Sequence, residues 1–177
     1  MQFIEQVTVG SGGAASITFS AIPDTFTDLV LMISLRSNAA GVNDFANTRI
    51  NGDSAANYYF RWLQGNGSAA SSLTAAPQTV LYGIGVNGNG ATANTFGNGT
   101  VYFPNYRSSV AKSISSDTVM ENNATTSLQH ITAFLWTGTS AITSMTLASS
   151  EGSLWLEHSS ASLYGILAGS DGIVSVA

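Results

Sequence analysis

The stretch YGIGVNGNGATANTFGNG, residues 82–99, contains Gly83-x-Gly85-x-x-Gly88. That spacing belongs to dinucleotide-binding turns, where a strand feeds a helix whose N-terminus holds a pyrophosphate. Read that way, the chain would be α/β. The flanking residues argue otherwise. A dinucleotide turn needs a helix opening within it and an acidic residue about 20 positions further on. Here Gly85 is followed by Val86-Asn87-Gly88-Asn89-Gly90, and Asn-Gly pairs favour turns with positive φ and oppose helix propagation. No Asp or Glu occurs between Asp53 and Asp117. The stretch is expected to be a neutral connection between a strand at 79–83 and another at 96–103.

Working outward, alternation of apolar and polar residues dominates. Strands are expected at 3–9, 15–22, 29–35, 46–50, 58–63, 79–83, 96–103, 110–120, 128–137, 141–148, 154–158 and 161–167. β-Branched and aromatic residues fill these runs, and Gly, Asn, Asp and Ser separate them. Residues 29–35 are apolar on both sides over most of their length, as in a central strand covered on both faces. No stretch carries a capped 3.6-residue period, although a helical turn is conceivable at 43–47 or 122–128. Residues 68–78 read as a long surface loop. Many short strands with turns between them predict an all-β sandwich or barrel in a single domain, residues 1–177.

The chain has 177 residues, enough for a sizeable core. It has no cysteine, which excludes disulfides and thiolate metal sites. Charged residues make up 8% against a usual share of about 25%, so Ser, Thr, Asn and Gly must carry solubility. The net charge is −5, and Arg36, Arg49, Arg61, Arg107 and Lys112 are scattered, which argues against nucleic acid as a partner. The start, Met1-Gln2-Phe3-Ile4-Glu5, lacks the basic and apolar regions of a secretion leader. No apolar run approaches the roughly 20 residues of a membrane helix, so no membrane partner is expected.

Catalytic chemistry finds little support. His130 and His158 are the only histidines, too few for a three-histidine metal site. Serines abound, but no Gly-x-Ser-x-Gly elbow occurs. Glycoside hydrolysis needs paired carboxylates about 5–10 Å apart; the acids include Glu121, Glu151 and Glu157, whose pairing is not visible in the sequence. Asn43, Asp44, Asn51 and Asp53 offer hard oxygens of the kind calcium takes, without EF-hand spacing, and Asn and Asp are also ordinary turn residues. No catalytic residue, cofactor or metal is expected.

A further pattern concerns residues 22–38, IPDTFTDLVLMISLRSN. It resembles the "IPxTYxxLxLxxxxR" start of small structural proteins of tailed bacteriophages. The resemblance continues through Asn51-Gly52-Asp53, Asn57-Tyr58-Tyr59, Phe103-Pro104-Asn105-Tyr106, Lys112, Leu135-Trp136 and Ala141-Ile142-Thr143, and ends at residues 162–166, SLYGI. These landmarks span residues 15–167 in fixed order. The resemblance implies a jelly-roll-like antiparallel β-sandwich and a virion role without catalytic residues. A head decoration (cement) protein at the capsid surface, bound to the major capsid protein as a homotrimer, is the role expected. A tail-associated module binding a host glycan is the alternative it leaves open.

Two segments are expected to supply contacts. Tyr58, Tyr59, Phe60 and Trp62 place aromatic rings on both faces of one strand, so Tyr58, Tyr59 and Trp62 are candidates for a partner surface. Tyr58, Tyr59, Trp62 or Trp155 would also serve a sugar-stacking platform. The uncharged loop 86–95, with Val86, Asn87, Asn89 and Thr95, can lie against a neighbour without desolvating ions. Residues 1–13 and 168–177 are expected to be arms reaching a neighbour, and Arg36 to reach the rim.

Overall fold

The computed structural model describes residues 1–123 and 125–167. Twelve strands occur among them: β1 Gln2–Thr8, β2 Ser16–Phe19, β3 Asp28–Leu35, β4 Asn43–Ile50, β5 Tyr58–Gly65, β6 Ala70–Thr74, β7 Leu81–Asn87, β8 Gly97–Phe103, β9 Lys112–Asn122, β10 Thr126–Trp136, β11 Met145–Ser149 and β12 Ser160–Ile166. They form two antiparallel sheets, one of eight strands in the order β1-β12-β3-β8-β9-β10-β5-β6 and one of four in the order β2-β11-β4-β7. From β2 to β12 the chain crosses repeatedly between the sheets. These orders are those of a jelly roll. Its seventh strand is replaced by the β8–β9–β10 meander, and β12 and β1 extend the large sheet.

The period of two explains the packing. In β3, Leu29, Leu31 and Leu35 are fully buried, while Met32 on the other face is exposed. In β9 and β10, Ile114, Met120, Phe134 and Trp136 point inward, and alternate residues face solvent. The small sheet contributes Ile17, Phe19, Ala46, Ile50, Ile84, Met145 and Leu147 to the same core.

The small sheet ends at β7, and that edge is pressed against the large sheet. Gly85 N donates to Thr118 Oγ (3.2 Å), and Thr132 Oγ donates to Gly83 O (3.0 Å). Hydroxyls of β9 and β10 thus satisfy backbone groups that no further strand pairs. The approach leaves no room for a side chain at Gly83 or Gly85. A Cβ on Gly83 would lie 2.8 Å from Trp62 Cε3, and one on Gly85 would lie 2.6 Å from Met120 Cε. The glycines that resembled a phosphate turn are there for contact between sheets.

The landmark residues meet at one end of the sandwich. Tyr106 OH donates to Pro23 O and accepts from Phe26 N. Asp28 accepts from Tyr102 OH and Asn105 N, and Ile142 N donates to Tyr106 O. Asn51 Oδ1 accepts from Thr143 N and Ser144 N, while its Nδ2 donates to Ala141 O. Asp53 accepts from Trp136 Nε1 and Asn57 Nδ2, and these bonds hold its carboxyl below the usual range. Lys112 sits against Trp136 and donates to the carbonyls of Ser108, Val110 and Ser140. Asp28, Asn51, Asp53, Tyr106 and Lys112 each join segments that are distant in sequence.

Several expectations change. Residues 43–47 belong to β4 rather than a helical turn, and of 122–128, residue 122 ends β9 and 126–128 open β10. Residues 154–158 form no strand; Trp155 makes only isolated bridges. Residues 68–78 are not a long loop, because β6 pairs with β5. The turn before it is built by Asn66-Gly67: Asn66 Oδ1 accepts from Ser68 N and Ala69 N, and Gly67 has φ 81°. Most of segment 1–13 is edge strand β1 rather than an arm; residues 168–177 lie outside the described residues.

Gly83 has φ 113°, and its missing side chain faces the Trp62 ring. Gly83→Ala should cost about 2–4 kcal/mol, from backbone strain and overpacking together. The denaturant midpoint should fall with the slope unchanged, and tryptophan fluorescence in the native baseline should shift.

Candidate functional site

The loop between β7 and β8 has the wrong polarity for an anion. Arg36 is buried and points into it. Its Nη1 donates to Thr92 O (2.6 Å) and Thr95 O (2.9 Å), and its Nη2 to Asn89 O (3.2 Å) and Ala91 O (3.1 Å). Loop amides are committed elsewhere: Gly88 N to Val42 O, Asn89 N to Ala39 O, Gly90 N to Gly41 O, and Thr92 N to the Glu121 carboxylate. A phosphate cradle presents N–H groups to its ligand, whereas this loop presents carbonyls to a cation of its own chain. Its Asn-Gly pairs adopt no positive φ; that geometry occurs at Asn51-Gly52 instead. A Cβ on Gly88 would lie 2.2 Å from Gly41 O, so close backbone approach fixes that glycine.

This geometry corrects most of the contact residues expected from sequence. Val86 and Asn87 are fully buried within the protomer, and Arg36 is a staple rather than a rim residue. Asn87 Nδ2 donates to Thr95 Oγ (2.9 Å), and Thr95 Oγ lies 3.1 Å from Glu121 Oε1, so both side chains hold the loop down. Asn89 keeps an exposed side chain. Tyr58 is core: its hydroxyl bonds to Ile50 and Asp53, and burial pushes its phenol up to about 12. Trp155 is fully buried with Nε1 on Leu147 O (3.1 Å). Trp62 is half-buried, stacked on Phe45 at 5.4 Å and packed on His130 at 4.6 Å. Neither tryptophan forms a stacking platform. Tyr59 alone of the aromatic candidates faces outward.

His130 lies inside this aromatic cluster. Its Nε2 is 2.8 Å from Gln64 Oε1, and its Nδ1 is 3.4 Å from Gly83 O. No serine or carboxylate stands against it among these partners. Burial holds its imidazole below its ordinary value, partly opposed by the Gly83 carbonyl. The group considered for calcium is dispersed: Asp44 accepts from Ser149, Ser150 and Phe45 N, whereas Asn51 and Asp53 close the opposite end of β4. Among the described residues, no group of three or more His, Asp or Glu could hold a metal.

What the structure presents to solvent is the outer face of the large sheet. Tyr164, Val30, Tyr102, Ser115, Ala133 and Arg61 stand side by side in one row across it. Met32, Thr100, Asp117, Ile131 and Leu63 form the next row. Leu63 is 61% exposed and Ile131 51%. Arg61 and Asp117 are the only charges in these rows, and both are engaged, Asp117 by Gln129 Nε2 and Arg61 by Phe60 O and Thr74 Oγ. Beside Arg61 and Ala133 runs a groove of about 400 Å³ lined by Leu63 and Ile131, continued by one of about 300 Å³ lined by Tyr59 and Leu135. Exposed apolar residues on alternate positions of adjacent strands carry this signal in sequence, but only the register brings them together.

No family model, curated protein or solved structure matches this chain.

Two outcomes follow from these geometries. Arg36→Met leaves the carbonyls of Asn89, Ala91 and Thr95 without their guanidinium donor, while Thr92 O keeps Thr95 N and Oγ, and it should cost about 3 kcal/mol, read as a lowered denaturant midpoint. His130 is held neutral by the fold, so the unfolded chain binds its proton first as pH falls. Stability is full above about pH 6.5, the unfolded value, and declines below it toward the lowered folded value. The melting temperature should drop between pH 7 and pH 5 in the wild type, and by much less in His130→Gln.

Proposed function

We propose that this protein is a non-enzymatic virion structural protein, a decoration protein that lies on a capsid shell through the open face of its large sheet. The observation that carries the reading is the breadth and neutrality of that face. Eight strands about 4.8 Å apart and about 23 Å long give about 880 Å², and a stable interface takes about 800 Å² from each partner. Large exposed apolar patches mark interaction surfaces. Arg61 and Asp117, the two charges of its central rows, are exposed and bonded to neutral neighbours, so covering those rows desolvates only two ions. The order of landmarks from residue 22 to residue 166 supports the assignment to tailed-phage virions. The partner in this reading is the major capsid protein, and many copies of a modest contact supply strength through avidity.

The test is co-sedimentation of purified protein with heads lacking it. Saturable binding is expected. Leu63→Asp combined with Ile131→Asp should weaken it at least 100-fold while leaving the melting temperature within a few degrees. Wild-type protein that binds neither procapsids nor expanded heads would overturn the reading.

A further inference from the structure

A β-sheet edge is a row of unpaired N–H and C=O groups, and proteins blunt it with charge, bulges, proline, shortness or cover. The two sheets have four edges among the described residues. The β1 edge carries Glu5 and a register shift between Phe3 and Glu5. The β2 edge is only four residues long. The β7 edge is closed by Thr118 and Thr132 of the other sheet and by the bridge from Arg36 to Asn87. The β6 edge is one residue longer than β2 and has no charge, bulge or cover. Its sequence, Ala70-Ser71-Ser72-Leu73-Thr74, holds no charge, no proline and no bulge, and all five residues are exposed. Pro77 stands beyond its end and confines the open stretch to these residues.

β6 is also poorly supported. It is paired with β5 alone, and Leu73, beside Trp62 in register, remains 45% exposed. A strand held on one side, with both faces wet, gains most from a second neighbour.

We propose that β6 pairs with β6 of a second copy of this chain, antiparallel about Ser72. The occupant follows from the strand itself. A neutral five-residue segment without repulsive groups is complementary to its own inverse, so the contact is isologous and closes at two copies. A head-to-tail ring would instead need the β1 edge, which is guarded. In the pair, Ser72 faces Ser72 across the axis, and the two Leu73 side chains share the opposite face with both Ser71 residues. The axis stands perpendicular to the sheet, so both open faces point the same way. The pairing does not depend on a capsid role; if the protein has that role, the dimer doubles the surface it presents.

The test is molar mass in solution by light scattering, without heads. The wild type should be dimeric, dissociating on dilution. Ser72→Lys sets like charges directly opposite and should raise the dissociation constant at least 30-fold, with the circular dichroism spectrum unchanged. Gln6→Lys on β1 should leave the dimer intact. The chain has no cysteine, so Ser72→Cys should give a covalent dimer on mild oxidation and Gln6→Cys should not. A monomer at high concentration, a trimer, or a dimer indifferent to Ser72→Lys would overturn the proposal.

Discussion

The architecture depends on one close approach, the edge of β7 against the inner face of the large sheet. An edge strand buried without hydrogen-bond partners would cost several kcal/mol. Thr118 and Thr132 remove part of that cost from across the interface, and the bare backbone at Gly83 and Gly85 lets them reach. The consequences run outward from there. β7 is held against β9, β10 and β5, the aromatic cluster of Phe45, Trp62, Tyr82 and His130 packs beside it, and the loop after it falls within reach of Arg36.

Arg36 and the landmark end then act as two clasps. At one end, a guanidinium gathers four carbonyls of a loop that has little apolar side chain to bury. At the other, Tyr106, Asn51, Asp53 and Lys112 each join segments far apart in sequence. Such groups are expensive to leave unpaired, so they select one arrangement of strands among those that the apolar alternation permits. Several of the sequence motifs are thus junctions of the fold, and they speak to architecture more directly than to any binding site.

The same division decides what could be read from sequence. Period-two alternation located eleven of the observed strands, because each strand is wet on one face or buried on both in ways its composition reports. β6 escaped because Ala, Ser and Thr carry no apolar period; the signal present was the Asn66-Gly67 turn. Residues 154–158 alternate convincingly, yet Trp155 is buried by a chain segment that pairs only in single bridges. The contact residues were harder still. Neutrality suggested that loop 86–95 faced a partner, but a buried arginine satisfies carbonyls as well as a partner could. Burial within the protomer and burial between protomers leave the same composition behind. Only register, which pairs Ile131 with Leu63 and Met32 with Thr100, distinguishes the face that stays open.

Charge completes the argument. The chain carries five basic and ten acidic residues, and Asp28, Arg36, Asp44 and Lys112 are buried among them. The surface is therefore even less charged than the composition implies. The buried charges are two acids and two bases, so the net charge stays at −5, and solubility rests largely on hydroxyl and amide groups that hydrogen-bond to water or to a neighbour with similar ease. Specificity in such a molecule cannot come from charge patterning. It must come from which backbone groups are left accessible. Among the described residues, a bulge interrupts the β1 edge, β2 is four residues long, and threonines from the other sheet close the β7 edge, so β6 is the longest edge left uninterrupted.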